Sequence, residues 1–305
     1  MPILGRITVY PIKSLDGVAV NEADMLPSAG LEHDRRWQLT DMEGRVVNGK
    51  RTPLVNAIRA RYQIDGLHDA QARIVLPHAG NAVELVVDRT ALVAGATRGI
   101  ERLAALAPEV FPLVPGAAGP SGWLSDALGQ DVLLVERREG GFPDDRDAPG
   151  PTLIATATLV EVARWFGVDL EECRRRFRVN LEIGGCDPFW EDAMASPNEI
   201  VQEDASLVDL PADPYATLPP PEPREIRIGD VRLRATNVCR RCVVPSRDSR
   251  TGVVTKDFRD AFEARRSRSI RPDVDARAWN HWYRLAVNTI VVAVGSIGLG
   301  DAVRS

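Results

Sequence analysis

Short runs in which apolar and polar residues alternate recur through the first third of the chain, spaced by roughly 8–12 residues. No other feature constrains the fold as much. RITVYPI, VAVNEADML, RRWQLT, RARYQI, ARIVLP and AVELVV all have this period of two, which gives a β-strand one apolar face. Turn residues such as Asp41-Met42-Glu43-Gly44 and His78-Ala79-Gly80-Asn81 divide them. Many short strands separated by turns predict a small barrel or sandwich, and the 22 prolines and 24 glycines agree with so many turns. A helical candidate lies near Arg98–Ala107, and GAAGPSG at 116–122 reads as a breaker and domain boundary.

The second half mixes periods. WLSDALG reads as a helix and DVLLVER as a strand. Thr156 to Phe166 has apolar positions at helical spacing with Gly167 as its stop, and a short helix is expected from Asp169 to Arg175. RVNLEIG, IRIGDVRLRATNV and VVAVGSIGLGDAV read as strands. Between Asp192 and Arg224 lies a Pro-, Asp- and Ala-rich stretch without sustained periodicity, and so long a loop inside a domain is usually functional or disordered.

Composition narrows the function. The chain has 305 residues and a formal net charge of −5, so no nucleic-acid partner is expected. The opening MPILGRITVYPIKSL lacks the long apolar stretch expected of a signal peptide and carries Lys13 early. The apolar run from Leu285 to Gly300 is interrupted by Asn288 and glycines and reads as buried strands, so no membrane partner is expected. Four cysteines are too few for a disulfide scaffold, and a cytoplasmic location is expected. Trp279, Trp282 and Tyr283 with His281 read as core packing.

Cys239-Arg240-Arg241-Cys242 carries the sharpest chemistry. Cations beside a thiol favour the thiolate, which is both nucleophile and soft metal ligand. A structural zinc site would need a second ligand pair, which neither Cys173 and Cys186 nor the four histidines supply at suitable spacing. A dithiol redox motif would need a following helix, whereas Pro245, Asp248 and Gly252 signal a turn. Two buried thiols at a strand end are the plain alternative.

Extended through Pro245, Asp248, Thr251 and Gly252, this run resembles the signature of MOSC-domain proteins, the molybdenum cofactor sulfurase C-terminal superfamily. Trp123-Leu124-Ser125, Arg176-Phe177-Arg178-Val179-Asn180 with Gly185-Cys186-Asp187-Pro188-Phe189, and Gly295 to Val303 resemble other parts of that domain. Tyr10-Pro11-Ile12-Lys13-Ser14 and His33-Asp34-Arg35-Arg36-Trp37 resemble the β-barrel domain that precedes it. The two-domain branch that includes YcbX proteins and the mitochondrial amidoxime reducing component is the most similar.

The resemblance implies a mainly β (α+β) protein, with an N-terminal β-barrel over residues 1–115. A MOSC distorted β-barrel with flanking helices would follow over 122–305, carrying an unusual 193–223 insertion expected to wall or cover the substrate pocket. It implies a molybdenum–molybdopterin cofactor in the cleft between the two, with Cys242 as catalytic metal ligand. Lys13, Ser14, Arg35 or Arg36, Thr158, Arg178, Asn180 and Arg241 would hold the cofactor. Strand alternation would let only one of Arg35 and Arg36 face it. Asp248 would either act near the metal or cap a turn. The implied activity is reduction of N-hydroxylated small molecules. Electrons would come from an external ferredoxin, flavin reductase or haem protein, since the chain lacks ligands for an iron–sulfur domain. Sulfur transfer by a persulfide cysteine and a non-catalytic cofactor carrier are the alternatives.

Overall fold

The strands build one large barrel, in which several are buried at consecutive residues, and beside it a smaller β-rich body in which alternation of burial is clearest. The computed structural model describes residues 1–27, 29–67, 76, 80–88, 100–113, 119–195, 224–274, 279 and 281–305. The large sheet uses β1 (Ile3–Val9), β2 (Val18–Val20), β9 (Leu153–Ala155), β10 (Leu181–Gly184), β11 (Glu225–Ile228), β12 (Val231–Arg240), β13 (Arg284–Ala293) and β15 (Val303–Arg304). Its order is β15-β11-β12-β13-β9-β10-β1-β2. It closes on itself, because Ile3 bridges Ala302 and the Val303 N–H donates to the Pro2 carbonyl at 2.9 Å. Only β9 and β10 run parallel, as a strand pair joined through helices must. Register shifts within β1 and along β12–β13 distort the wall. Leu4, Ile7, Leu153, Leu181, Ile183, Leu233 and Val287 fill the interior.

The second body is made of β4 (Trp37–Asp41) paired with β8 (Val132–Glu136), and of β5 (Ile58–Gln63), β6 (Ala82–Val87) and β7 (Glu109–Pro112) in sequence order. With α1 (Ile100–Ala105) and α2 (Gly119–Leu128) they share a core of Trp37, Leu39, Ile58, Leu85, Trp123 and Leu124. Packing therefore does not divide at 116–122. The first strand joins the large barrel, while α2 and β8 return to the first half. The sequence run ends where the Gly/Pro cluster breaks it, but the burial of Trp123 and Leu124 decides which core that segment joins. The strand expected from ARIVLP and most of the 193–223 insertion lie outside the described residues.

A third core covers the outside of the barrel with α3 (Thr156–Phe166), α4 (Leu170–Phe177) and α5 (Phe258–Arg266). Gly167 ends α3 in the left-handed conformation, with φ 62°. Asp169 caps α4 by accepting from the Glu172 N–H at 2.7 Å. Short β3 (Glu22–Asp24) and β14 (Ser296–Gly298) form a two-stranded ribbon. Trp279 and Tyr283 are buried as core, and no described helix is long and apolar enough to cross a membrane.

Candidate functional site

A cavity of about 750 Å³ opens where the large barrel, α4 and the smaller body meet. Its walls carry thirteen lysine and arginine side chains against five carboxylates, in a chain whose net charge is −5. Such a concentration of one sign in a cleft focuses a positive field.

Chain geometry delivers these cations. Ser14, Arg35 and Arg178 are three of the seven non-glycine residues with left-handed backbone among those described, at φ 77°, 50° and 53°. All three line the cavity. Each such conformation costs on the order of 1 kcal/mol or more, and the cost concentrates at functional sites. Arg178 is the left-handed residue that ends α4, a place glycine usually takes; it carries its guanidinium to 4.3 Å from the Tyr10 ring centroid. Arg35 approaches the same ring at 5.5 Å. Burial pushes the Tyr10 hydroxyl up to about 12, against the lowering pull of Arg178 and Arg35, so it stays neutral. Gly17 admits this ring, because a Cβ there would lie 2.6 Å from it.

Asp144 already sits on two of the cations. Its carboxylate takes Lys13 Nζ at 2.9 Å and Arg35 Nε at 3.1 Å. Although burial works the other way, Arg35 and Lys13 hold the Asp144 carboxyl below the ordinary range. Lys13 also donates to the Phe142 and Pro143 carbonyls at 3.1 and 3.3 Å. Asn180 is a strut behind Arg35: its buried Oδ1 accepts from Arg35 Nη1 at 3.3 Å and from Thr152, and its Nδ2 donates to the Thr8 carbonyl at 3.0 Å. Arg178 makes no side-chain hydrogen bond or ion pair among the described residues.

Opposite stands the cysteine motif. Cys239 and Arg240 end β12, and Arg241 and Cys242 begin the turn. Cys242 is exposed to the cavity and accepts the Val244 N–H at 3.5 Å. Cys239 is buried, donates to Asn288 Oδ1 at 2.8 Å, and burial pushes its thiol up to about 11. The two thiols thus differ sharply in exposure. Arg241 spends its guanidinium on the carbonyls of Leu285, at 2.9 Å from Nε, and Phe177, at 3.1 Å from Nη1. Glu172 of α4 pins the loop beyond: its carboxylate accepts the Ser249 N–H at 2.9 Å and the Ser249 hydroxyl at 2.5 Å. Burial would raise this carboxyl, but Ser249 and Arg176 bring it down to about 2.

Of the expected residues, Lys13, Ser14, Arg35, Arg178, Arg241 and Cys242 line one cavity. Arg36 does not: it pairs with Glu136 at 2.6 Å and lies 4.7 Å over Trp37. Arg35 and Arg36 do part company, but through the left-handed turn at Arg35 rather than a strand pleat. Thr158 is fully buried, accepting the Phe189 N–H at 2.6 Å and donating to Glu191 at 3.0 Å. It serves the fold beneath the helices instead of the cavity. Asp248 caps its own turn, accepting from the Thr251 N–H at 2.8 Å and hydroxyl at 2.9 Å, and it does not line the cavity. Sequence reading missed Tyr10 as a contact and missed Arg59, Asp144, Asn237, Arg247 and Asn288 altogether. Gly140-Gly141 before Asp144 was the one available signal. Gly141 has φ 56°, and a Cβ there would lie 2.7 Å from the Asp34 carbonyl, so the loop must carry glycine to bring Asp144 in.

Known proteins share parts of this sequence. Residues 1–105 match the model of the MOSC N-terminal beta barrel domain. A molybdenum cofactor sulfurase of Drosophila mojavensis is 24% identical over 82% of this chain and 28% of its own length. Mitochondrial amidoxime reducing component 2 of Rattus norvegicus is 23% identical over 98% of this chain and 82% of its own. The chain thus spans 24–29% of the length of three such sulfurases. The solved YUAD protein of Bacillus subtilis aligns with 99% of this chain and 94% of its own at 10% identity and a TM-score of 0.33, too slight a likeness to argue from. The resemblance read from the motifs is borne out: the first third of the chain matches the MOSC N-terminal beta barrel domain, and the proteins it resembles include molybdenum cofactor sulfurases and an amidoxime reducing component.

Proposed function

We propose that the cavity holds a molybdenum pterin cofactor and that the protein reduces N-hydroxylated small molecules. One observation carries this reading: an exposed thiol, Cys242, stands on the wall of a strongly cationic cavity. Among the described residues no group of three or more His, Cys, Asp or Glu side chains is placed to hold a metal ion. A metal at Cys242 must bring its other donors with it, and molybdenum in a pterin dithiolene does so with sulfur, which suits a thiolate partner. The cofactor's phosphate needs cations and N–H donors, and Lys13, Arg35 and Arg178 offer three charges held by Asp144, Asn180 and Tyr10. The donor set fits the group.

When bound, the cofactor supplies oxygen-atom abstraction from nitrogen, with the balance R–NHOH + 2e⁻ + 2H⁺ → R–NH₂ + H₂O. The two electrons come from a separate ferredoxin, flavin reductase or haem protein. The chain's own residues position the parts. Cys242 presents the ligand, Arg241 ties its turn to β13 and α4, and Glu172 fixes the loop that follows. Asn180 holds Arg35 in place, and Arg35 would be one of the cations that hold the cofactor phosphate.

The exposure of Cys242 also suits a persulfide carrier, which is the second reading. Protein from a cofactor-competent host, given reduced methyl viologen as donor, is expected to convert benzamidoxime to benzamidine. Cys242→Ser is expected to lower the rate by at least about a hundredfold. No turnover by metal-loaded protein, together with thiocyanate released by cyanide in proportion to Cys242, would replace reduction with sulfur transfer.

A further inference from the structure

The cavity holds more positive charge than a cofactor phosphate uses. Thirteen cations line it against five carboxylates, Glu172 behind the wall pairs with Arg175 and Arg176, and a surplus of seven remains, of which a phosphate dianion would offset two. The carboxylates are already engaged. Asp144 lies on Lys13 and Arg35, Asp16 on Arg59, and Glu171 and Glu182 on Arg174. Asp145 accepts from Asn288.

Two further cations, Arg247 and the exposed Lys50, line the cavity besides the Lys13–Arg35–Arg178 group. Arg247 follows Cys242 on the same loop, lines the cavity and is only partly exposed. Among the described residues its guanidinium has one hydrogen bond, from Nη1 to the Gly252 carbonyl at 3.3 Å; its Nε is buried without a partner. Lys50, in the turn before β5, lines the same cavity and makes no side-chain hydrogen bond or ion pair among the described residues. Asn56 joins the two elements, since a Cβ on Gly49 would meet its side chain at 3.5 Å and one on Gly252 would meet it at 3.2 Å. Arg59 locks the arrangement by donating to the Ser249 carbonyl at 3.1 Å while paired with Asp16 at 3.0 Å. A partly buried guanidinium with an idle donor is costly, and an anionic ligand repays that cost.

We propose that Arg247 and Lys50 form a second anion site, which takes a carboxylate or phosphate carried by the substrate itself. The preferred substrate is then an N-hydroxylated compound with its own anionic group. This rests on the cavity being the cofactor site. The same chemistry could come from an extended cofactor with a second phosphate.

The test compares benzamidoxime with 4-carboxybenzamidoxime on molybdenum-loaded protein with reduced methyl viologen. The ratio of kcat/KM is expected to favour the carboxylate by about tenfold or more, the scale of one charged hydrogen bond. Arg247→Gln should remove most of that preference, and Arg247→Lys should restore part of it. Lys256→Gln, which removes an exposed charge outside the cavity, should leave the ratio as it is. A wild-type ratio near one, or a preference untouched by Arg247→Gln, overturns the site. If neither compound is reduced, calorimetric titration of both into the same protein still decides. Tighter binding of the carboxylate that is lost in Arg247→Gln upholds the anion site while N-reduction fails, and equal binding overturns the site. A nucleotide released by acid from the extracted cofactor assigns the site to the cofactor and overturns the substrate assignment.

Discussion

Arginine is used in two opposite ways on the two sides of the large barrel. Beneath the helices, Arg266 is fully buried and every donor group is spent. Its Nη2 reaches both Asp192 oxygens at 2.6 Å, Nε the Arg284 carbonyl at 3.1 Å and Nη1 the Ser269 hydroxyl at 3.2 Å. Its guanidinium also lies between the Phe189 and Trp279 rings, at 4.5 and 4.9 Å. In the cavity, and among the described residues, Arg178 has a ring but no acceptor, and Arg247 has one carbonyl. A charge whose partners all come from its own chain is a structural device. Charges gathered in a cleft without partners point to a ligand.

That contrast is broken most severely at Arg266. Arg266→Met leaves Asp192 buried without its cation, and a loss of about 3–5 kcal/mol is expected from urea unfolding. Adding Asp192→Leu should recover much of that loss, since an apolar pair often replaces a buried ion pair at little cost. Recovery of nothing would mean that the pair's hydrogen bonds to Arg284 and Ser269 dominate.

Glu172→Gln is expected to cost about 1–3 kcal/mol, because it weakens charged hydrogen bonds to Ser249 and Arg176. The wild-type carboxyl is held down from an ordinary 4.5 to about 2. Its contribution is therefore complete above about pH 4.5 and is lost as pH falls through about 2. The variant should lack that acid-side slope. Glu191 gives the opposite sign. Burial, then the neighbouring Asp192, raise its carboxyl, and its Oε1 has no hydrogen-bond partner among the described residues. The folded state thus keeps a proton that the unfolded chain releases, so stability should fall as pH rises above the ordinary carboxylate range. Glu191→Gln should flatten that fall in melts across neutral pH.

The smallest stability effect is expected in the cavity. Arg178→Gly relieves a left-handed backbone while losing the Tyr10 stack, so the net change should stay within about 1 kcal/mol. Cofactor retention through gel filtration should nevertheless drop. An Arg178→Gly protein that loses several kcal/mol of stability yet retains cofactor as the wild type does would make Arg178 a structural arginine instead.

The sequence made much of this legible, for physical reasons that differ by residue. Period-two runs mark β1, β4, β5 and β6 because a strand alternates its side chains between two faces, although β4 is buried on both. Gly167 and the Cys239–Cys242 turn were readable because stop and turn chemistry is local. Which core a segment joins was not local, so the packing of α2 and β8 with Trp37, Ile58 and Leu85 was not legible. Strand β9 is only three residues long and α5 is marked chiefly by Phe258 and Phe262, both too slight a signal to read. In the site, motif residues such as Lys13 and Arg178 stood out by resemblance. Asp144 and Arg247 did not, because their roles come from loops brought together by tertiary contacts. Thr158 sat at a helix start and looked like an anion contact, yet its hydroxyl is consumed by Phe189 and Glu191.

The central claim is that Cys242 and the cationic cavity hold molybdenum as a pterin. Elemental analysis of molybdenum, on wild type beside Cys242→Ser from the same cofactor-competent host, tests it most directly. Near-stoichiometric metal in the wild type, lost in a Cys242→Ser protein with an unchanged unfolding midpoint, is the predicted result. Equal metal in both, or none in a folded wild type, would contradict it.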